Sequence, residues 1–169
     1  MLRFQGKILG KDSDHYATPT LFYSQLNKIY NFTMDPCPLK SRVDGLIMNW
    51  EGVVYCNPPY SNIYPWLKKG EIELNRMPKN EYACFRIVYL LPVRTDTKYF
   101  HDFIMKKAYS ITFIKGRLHF NDDKNPAPFP VMLVELDYQS INTDTPIKFF
   151  SMLVTKENNK QINLFSKGR

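Results

Sequence analysis

Val53-Val54-Tyr55-Cys56-Asn57-Pro58-Pro59-Tyr60 is the stretch whose reading decides the fold. Its first half is a compact run of strand formers. The run stops at Asn57 because Pro58 and Pro59 each lock φ and lack an N–H, so no sheet ladder passes through them. Directly downstream, Ile63, Trp66, Leu67, Gly70 and Leu74 recur on one helical face, and Pro65 is tolerated in the first turn. A buried strand, a stiff corner and a helix make one unit of an α/β sheet.

Upstream, Thr18 stands at an N-cap position and Pro19 at the first helical position. Phe22, Leu26, Ile29 and Tyr30 follow at helical spacing, which predicts a helix over residues 19–30. Residues 31–36 read as a short strand that stops at Pro36. Downstream, 75–82 is a polar loop. Residues 84–91 are nearly all apolar and end at Pro92, the pattern of a strand buried on both faces. Tyr99, Phe100, Phe103, Ile104 and Ala108 predict a helix capped near Thr95 or Asp96. Residues 110–114, 118–120, 131–136 and 148–155 are strand-like, with a proline-bearing loop over 121–130. Strands alternating with helices predict a mainly parallel sheet with helices on both faces and an antiparallel C-terminal edge. Ligands of such sheets bind beyond the carboxyl ends of the strands, where Asp35-Pro36 and Asn57-Pro58 are expected.

The chain has 169 residues, 44% hydrophobic and 15% aromatic, enough for one domain with a single core and inconsistent with bulk disorder. One domain is expected over 1–169, with a loose arm over 1–13 and a tail over 156–169. No apolar run is long enough for a membrane helix, and the N-terminus lacks the pattern of a signal peptide. Cys37, Cys56 and Cys84 have no CxxC spacing and read as reduced thiols of a cytoplasmic protein. His15, His101 and His119 are scattered, so no metal is expected. The 23 basic and 16 acidic residues leave a net charge of +7, which suits a polyanionic partner such as nucleic acid and equally a merely basic surface.

The corner at Asn57 has a definite chemistry. Asn57 carries a side-chain acceptor, Pro58 holds a carbonyl in place, and Tyr60 supplies an aromatic plate. These parts suit a planar amine. The nitrogen of adenine N6 is a poor nucleophile because its lone pair is delocalised into the ring. Hydrogen bonds from its two N–H groups to Asn57 Oδ1 and the Pro58 carbonyl localise that pair and orient it toward an activated methyl. Taken as four letters, Asn-Pro-Pro-Tyr also suits a plain turn.

The sequence resembles the S-adenosylmethionine-dependent amino-methyltransferases, and among them the phage-type DNA N6-adenine methyltransferases, the Dam family of bacteriophages and prophages. The resemblance rests on Ala17-Thr18-Pro19, Met34-Asp35-Pro36-Cys37, Asp44-Gly45-Leu46 and Trp50-Glu51-Gly52-Val53. It continues through Cys56-Asn57-Pro58-Pro59-Tyr60-Ser61, Pro65-Trp66, Lys69, Leu90-Leu91-Pro92 and 115–120. It implies a Rossmann-like methyltransferase fold and catalytic roles for Asn57, Pro58 and Tyr60. It implies S-adenosylmethionine as cofactor, held by Tyr16, Thr18, Pro19, Asp35, Pro36, Asp44, Leu46 and Asn57. The glycine-rich turn usual after the first strand is replaced by Cys37-Pro38-Leu39. Only eight residues separate Asp35 from Asp44, so the sheet is trimmed here or the cofactor pocket is built differently.

DNA is the expected partner, with Lys69, Arg94, Lys115 and Arg117 as candidate phosphate contacts. The adenine must leave the stack to reach Asn57. Two alternatives stay open. One is a nucleic-acid-binding module on an inactive methyltransferase scaffold, and the other is the same chemistry on RNA adenine or protein glutamine.

Overall fold

The computed structural model describes residues 16–39, 44–76, 84–122, 125–144, 146–153 and 163–165. The expected arm over 1–13, most of the 75–82 loop and most of the tail fall outside the described residues. α1 spans Thr20–Tyr30, β1 Gly52–Cys56 and α2 Ile63–Asn75. β2 spans Cys84–Pro92 and is followed by a π-helical turn, Phe100–Ile104, that runs into a short α3, Met105–Lys107. β3 (Ser110–Lys115), β4 (Val131–Asp137), β5 (Lys148–Leu153) and β6 (Asn163–Phe165) complete the fold. β6 falls within the segment expected as tail.

The strands form one six-stranded sheet in the order β1-β2-β4-β3-β5-β6. It is α/β and mixed, which corrects the expectation of a mainly parallel sheet. β1–β2 and β3–β5 are parallel, whereas β2–β4, β3–β4 and β5–β6 are antiparallel. β1, β2, β3 and β5 therefore point one way, but the reversed β4 is inserted between β2 and β3. The described residues of 116–130 carry no crossover helix, and the chain turns back after β3 instead of returning in parallel. All seven residues of β4 are buried, which makes it a central strand. The expected antiparallel edge is present in β5–β6.

Strand alternation assigns α1 and α2 to opposite faces. Tyr55 of β1 packs edge-on against Tyr23 of α1 at 5.1 Å. Glu135 of β4 receives the Tyr30 hydroxyl at 3.5 Å. On the other face, Tyr89 donates to the Trp66 carbonyl of α2 at 2.9 Å. α2 sits so close to β2 that a Cβ at Gly70 would meet the Tyr89 hydroxyl at 2.0 Å. α1 ends where Asn31 enters the left-handed region (φ 53) and donates to the Asn27 carbonyl, while Asn27 Oδ1 accepts from Phe32 N.

Three local expectations are corrected. The strand over 31–36 is a single bridge from Met34 to Val54 at the edge of β1. Pro36 offers no donor with which to extend it. Residues 118–120 are not a strand: the Leu118 carbonyl accepts from Ala127 N, and Phe120–Asp122 form a 3-10 turn with Asn121 at φ 59. Leu118 and Phe120 alternate with His119 like a strand, but they enter the core as loop residues. Finally, Thr18 does not cap α1: the cap residue is Pro19, with no side-chain capping bond.

Candidate active site

β1, β2 and β3 end at one edge of the sheet, where β4 begins. Residues 57–60, 93–94, 116–120 and 129–130 meet there, stitched in part by Val93 N donating to the Pro130 carbonyl at 2.9 Å. Residues 16–18, just ahead of α1, close the group. Ala17 N donates to Asn121 Oδ1 at 2.8 Å, and Asn121 N returns a bond to the Ala17 carbonyl at 2.9 Å.

Asn57 lies at the centre. Its Nδ2 donates to the Tyr16 carbonyl at 2.5 Å and to Thr18 Oγ1 at 3.1 Å. Thr18 Oγ1 is in turn 2.7 Å from the Tyr55 hydroxyl. Both amide hydrogens are thereby used, and Asn57 Oδ1 is buried with no partner. A buried, unpaired acceptor costs about 1–3 kcal/mol. The Tyr60 hydroxyl is likewise buried and unpaired. Burial pushes this phenol well above its ordinary range, so it stays neutral.

The plate expected of Tyr60 is not bare. Only 6% of Tyr60 is exposed. Tyr16 stacks on it at 5.3 Å with the planes 21° apart, and Phe129 and Phe120 meet it edge-on at 5.6 and 6.1 Å. The covering residues come from the segment before α1 and from the 116–130 loop, not from the strands. Asn57 and Pro59 keep partial exposure, and Ser61 is exposed.

Asp35 follows the Met34 bridge, beside β1. Its Oδ1 accepts from Cys37 N at 2.9 Å. Burial raises its carboxyl above the usual range, partly offset by that bond. No Lys, Arg or His forms an ion pair with it among the described residues, so a half-buried negative charge stands uncompensated. Tyr55 N donates to the Met34 carbonyl at 2.9 Å, which sets Asp35 beside the strand that ends at Asn57. Burial raises the Tyr55 and Cys56 pKa values, and the Asp35 charge adds to both. Asp44 is exposed and forms a turn in which its Oδ1 accepts from Leu46 N at 2.9 Å. That turn is pressed against Pro36: a Cβ at Gly45 would sit 1.9 Å from the Pro36 carbonyl oxygen. Residues 35–36 and 44–46 thus adjoin. Burial pushes the Cys37 thiol up to about 12 and Cys56 well above its ordinary value, so neither is a thiolate nucleophile.

Arg94, Lys115 and Arg117 are exposed and follow or end the strands at this same edge. Lys69 differs: its ammonium pairs with buried Glu73 at 2.6 Å in α2. No group of three or more His, Cys, Asp or Glu is placed to hold a metal among the described residues. No helix among them is long and apolar enough to cross a membrane.

Sequence reasoning missed the Tyr16 ring on Tyr60, the Tyr55 hydroxyl behind Thr18, and the Asn121 clasp. Phe120 before the 121–130 loop and Phe129 within it were the available signal. The Tyr55–Thr18–Asn57 contacts had none, because they join residues 37 and 39 positions apart.

The family model described as DNA N-6-adenine-methyltransferase (Dam) matches residues 5–167, nearly the whole sequence, and the chain belongs to that family. No curated protein matches it.

Proposed function

From membership of the DNA N-6-adenine-methyltransferase family, we propose that this chain methylates adenine N6 in DNA, with the flipped base held at Asn57-Pro58-Pro59-Tyr60. The observation that carries the site is Asn57 Oδ1, a buried acceptor whose own amide hydrogens are already spent. An adenine N6–H supplies the missing donor. The Pro58 carbonyl takes the second N6 hydrogen, and Tyr60 stacks on the ring once Tyr16 gives way. Fixed acceptors withdraw lone-pair density from the ring toward the nitrogen and set its line of attack. No side chain there needs to be a strong base, because the amine becomes acidic only as it acquires charge.

S-adenosylmethionine, when bound, supplies an electrophilic methyl carbon. The uncompensated Asp35 carboxylate suits the ammonium or ribose hydroxyls of such a molecule, and Pro36, Asp44 and Leu46 lie beside it. Tyr16, Thr18, Pro19 and Asn57 form the remaining wall. The fold is then a trimmed, Rossmann-like methyltransferase domain occupying the chain as one unit in the cytoplasm. Arg94, Lys115 and Arg117 contact phosphates. Lys69, already neutralised by Glu73, contributes least.

The test is transfer of label from S-adenosylmethionine to unmethylated plasmid DNA, with RNA and a glutamine peptide as competitors. Label in DNA as N6-methyladenine is expected, and label only in RNA or peptide overturns the substrate. A second reading, a DNA-binding module without transfer, draws on the cover over Tyr60. S-adenosylhomocysteine separates the two: a raised Tm supports the enzyme, and none supports the module.

A further inference from the structure

We propose that Thr18, backed by the Tyr55 hydroxyl, is a positioning residue that holds the Asn57 amide with its oxygen free for the substrate amine; this rests on the methyltransferase reading above. A primary amide has nearly the same shape in either of its two flipped orientations, but opposite chemistry at its two ends. If Asn57 turned over, it would present N–H to N–H, and the amine would be repelled instead of held. The orientation is set by what surrounds the nitrogen. The Tyr16 carbonyl can only accept, so Nδ2 must face it at 2.5 Å. The second hydrogen needs a second acceptor, and Thr18 Oγ1 is there at 3.1 Å. A threonine hydroxyl is free to rotate and serves either amide orientation unless its own hydrogen is committed. The Tyr55 hydroxyl, 2.7 Å away on a side chain 1% exposed, is the partner that can commit it. With Oγ1 accepting from Asn57 and its own proton given to the Tyr55 oxygen, Thr18 has no donor left for a flipped amide.

The same contacts explain why Thr18 leaves α1 uncapped. Its hydroxyl is drawn to β1 instead of to the first-turn N–H groups, which lets the helix start without a side-chain cap. The tyrosine is positioned by strand alternation, since Tyr55 and Asn57 fall on the same side of β1 as α1.

The experiment compares wild type with Thr18→Val, Thr18→Ser and Tyr55→Phe, measuring kcat and KM for S-adenosylmethionine on unmethylated plasmid DNA. Thr18→Val keeps the shape and removes the hydroxyl; kcat should fall about tenfold, the scale of one neutral hydrogen bond. KM for S-adenosylmethionine should stay within about twofold, as the loss lies in the reacting geometry. Thr18→Ser should restore kcat to within about twofold, and Tyr55→Phe should lower it about threefold, roughly half of that bond. A raised KM with unchanged kcat in Thr18→Val leaves Thr18 as part of the cofactor wall and nothing more, and overturns the proposal. Failure of Thr18→Ser to rescue overturns it as well, by assigning the effect to packing.

A readout without turnover separates this idea from the enzyme assignment. In 15N-labelled protein, the side-chain amide pair of Asn57, identified by its loss in Asn57→Ala, should show two sharp, separated proton signals. Thr18→Val should shift the proton that faces Thr18 and broaden both signals as the amide samples its two orientations, and Thr18→Ser should restore them. If wild type transfers no methyl group, the proposed function fails while these signals still decide the role of Thr18. If the signals ignore Thr18→Val, the positioning role is refuted whatever the turnover.

Discussion

The two ends of the sheet treat buried polar groups in opposite ways. At the end opposite Asn57, Arg86 of β2 meets Glu135 at 3.1 Å and Asp137 at 2.7 Å, both on β4. Ser110 donates to Glu135 Oε2 at 2.9 Å, and the Tyr30 hydroxyl adds a longer bond. Burial raises the Glu135 carboxyl, Arg86 and the hydroxyls oppose the shift, and its polar atoms find partners. At the Asn57 end, Asn57 Oδ1 and the Tyr60 hydroxyl are buried without partners, and Asp35 lacks a cation. A closed network spends its interactions on stability; an open one keeps them for a ligand. The contrast supports the site proposed at Asn57 on grounds other than the motif.

Removing Asn57 tests the contrast most severely. Asn57→Ala should cut kcat by about 10²–10³-fold, the scale of a lost preorganised hydrogen-bonding group, while Tm stays within a few degrees. A large fall in Tm with modest loss of turnover would reverse the assignment of the two ends. Arg86→Met should do the opposite: about 3 kcal/mol of stability lost in urea unfolding, because two buried carboxylates lose their cation, with little change in kcat. Tyr16→Ala keeps the backbone carbonyl that Asn57 needs and removes the ring from Tyr60. An aromatic pair is worth about 0.5–1.5 kcal/mol, so KM for DNA should fall about threefold. A rise in KM would mean that Tyr16 stacks on the base instead of yielding to it.

The smallest effect is a pH signature at Asp35. Its pKa is raised above the ordinary 3.8 by burial, so the folded state favours the proton. Stability from this group is full below pH 3.8 and is lost as pH rises through the folded value. Asp35→Asn should remove that decline and leave the free protein slightly more stable at neutral pH. It should also shrink the Tm gain from S-adenosylhomocysteine. An unchanged gain would separate Asp35 from the cofactor.

The legible parts of the molecule were those governed by neighbours in sequence. The corner at 57–60, α1, α2 and β2 follow from proline chemistry and from apolar spacing. Thr18 was misread because its N-cap pattern is local, whereas the Tyr55 hydroxyl that claims it arrives through the sheet. Leu118 and Phe120 were misread because alternating burial does not distinguish a strand from a loop that drops two side chains into a core. The charged network at Arg86 left no trace, since cross-strand pairs have no fixed spacing along the chain.

Sequence alone determined the chemistry on offer: a proline-stiffened acceptor, an aromatic plate, a basic surface and the family to which they belong. Tertiary structure decided how the strands pair, with β4 reversed between β2 and β3, and which end of the Asn57 amide is free. The physical reason is common to both. Backbone stiffness and periodicity act over a few residues, while strand order and amide orientation depend on partners that only the folded chain brings within hydrogen-bond reach.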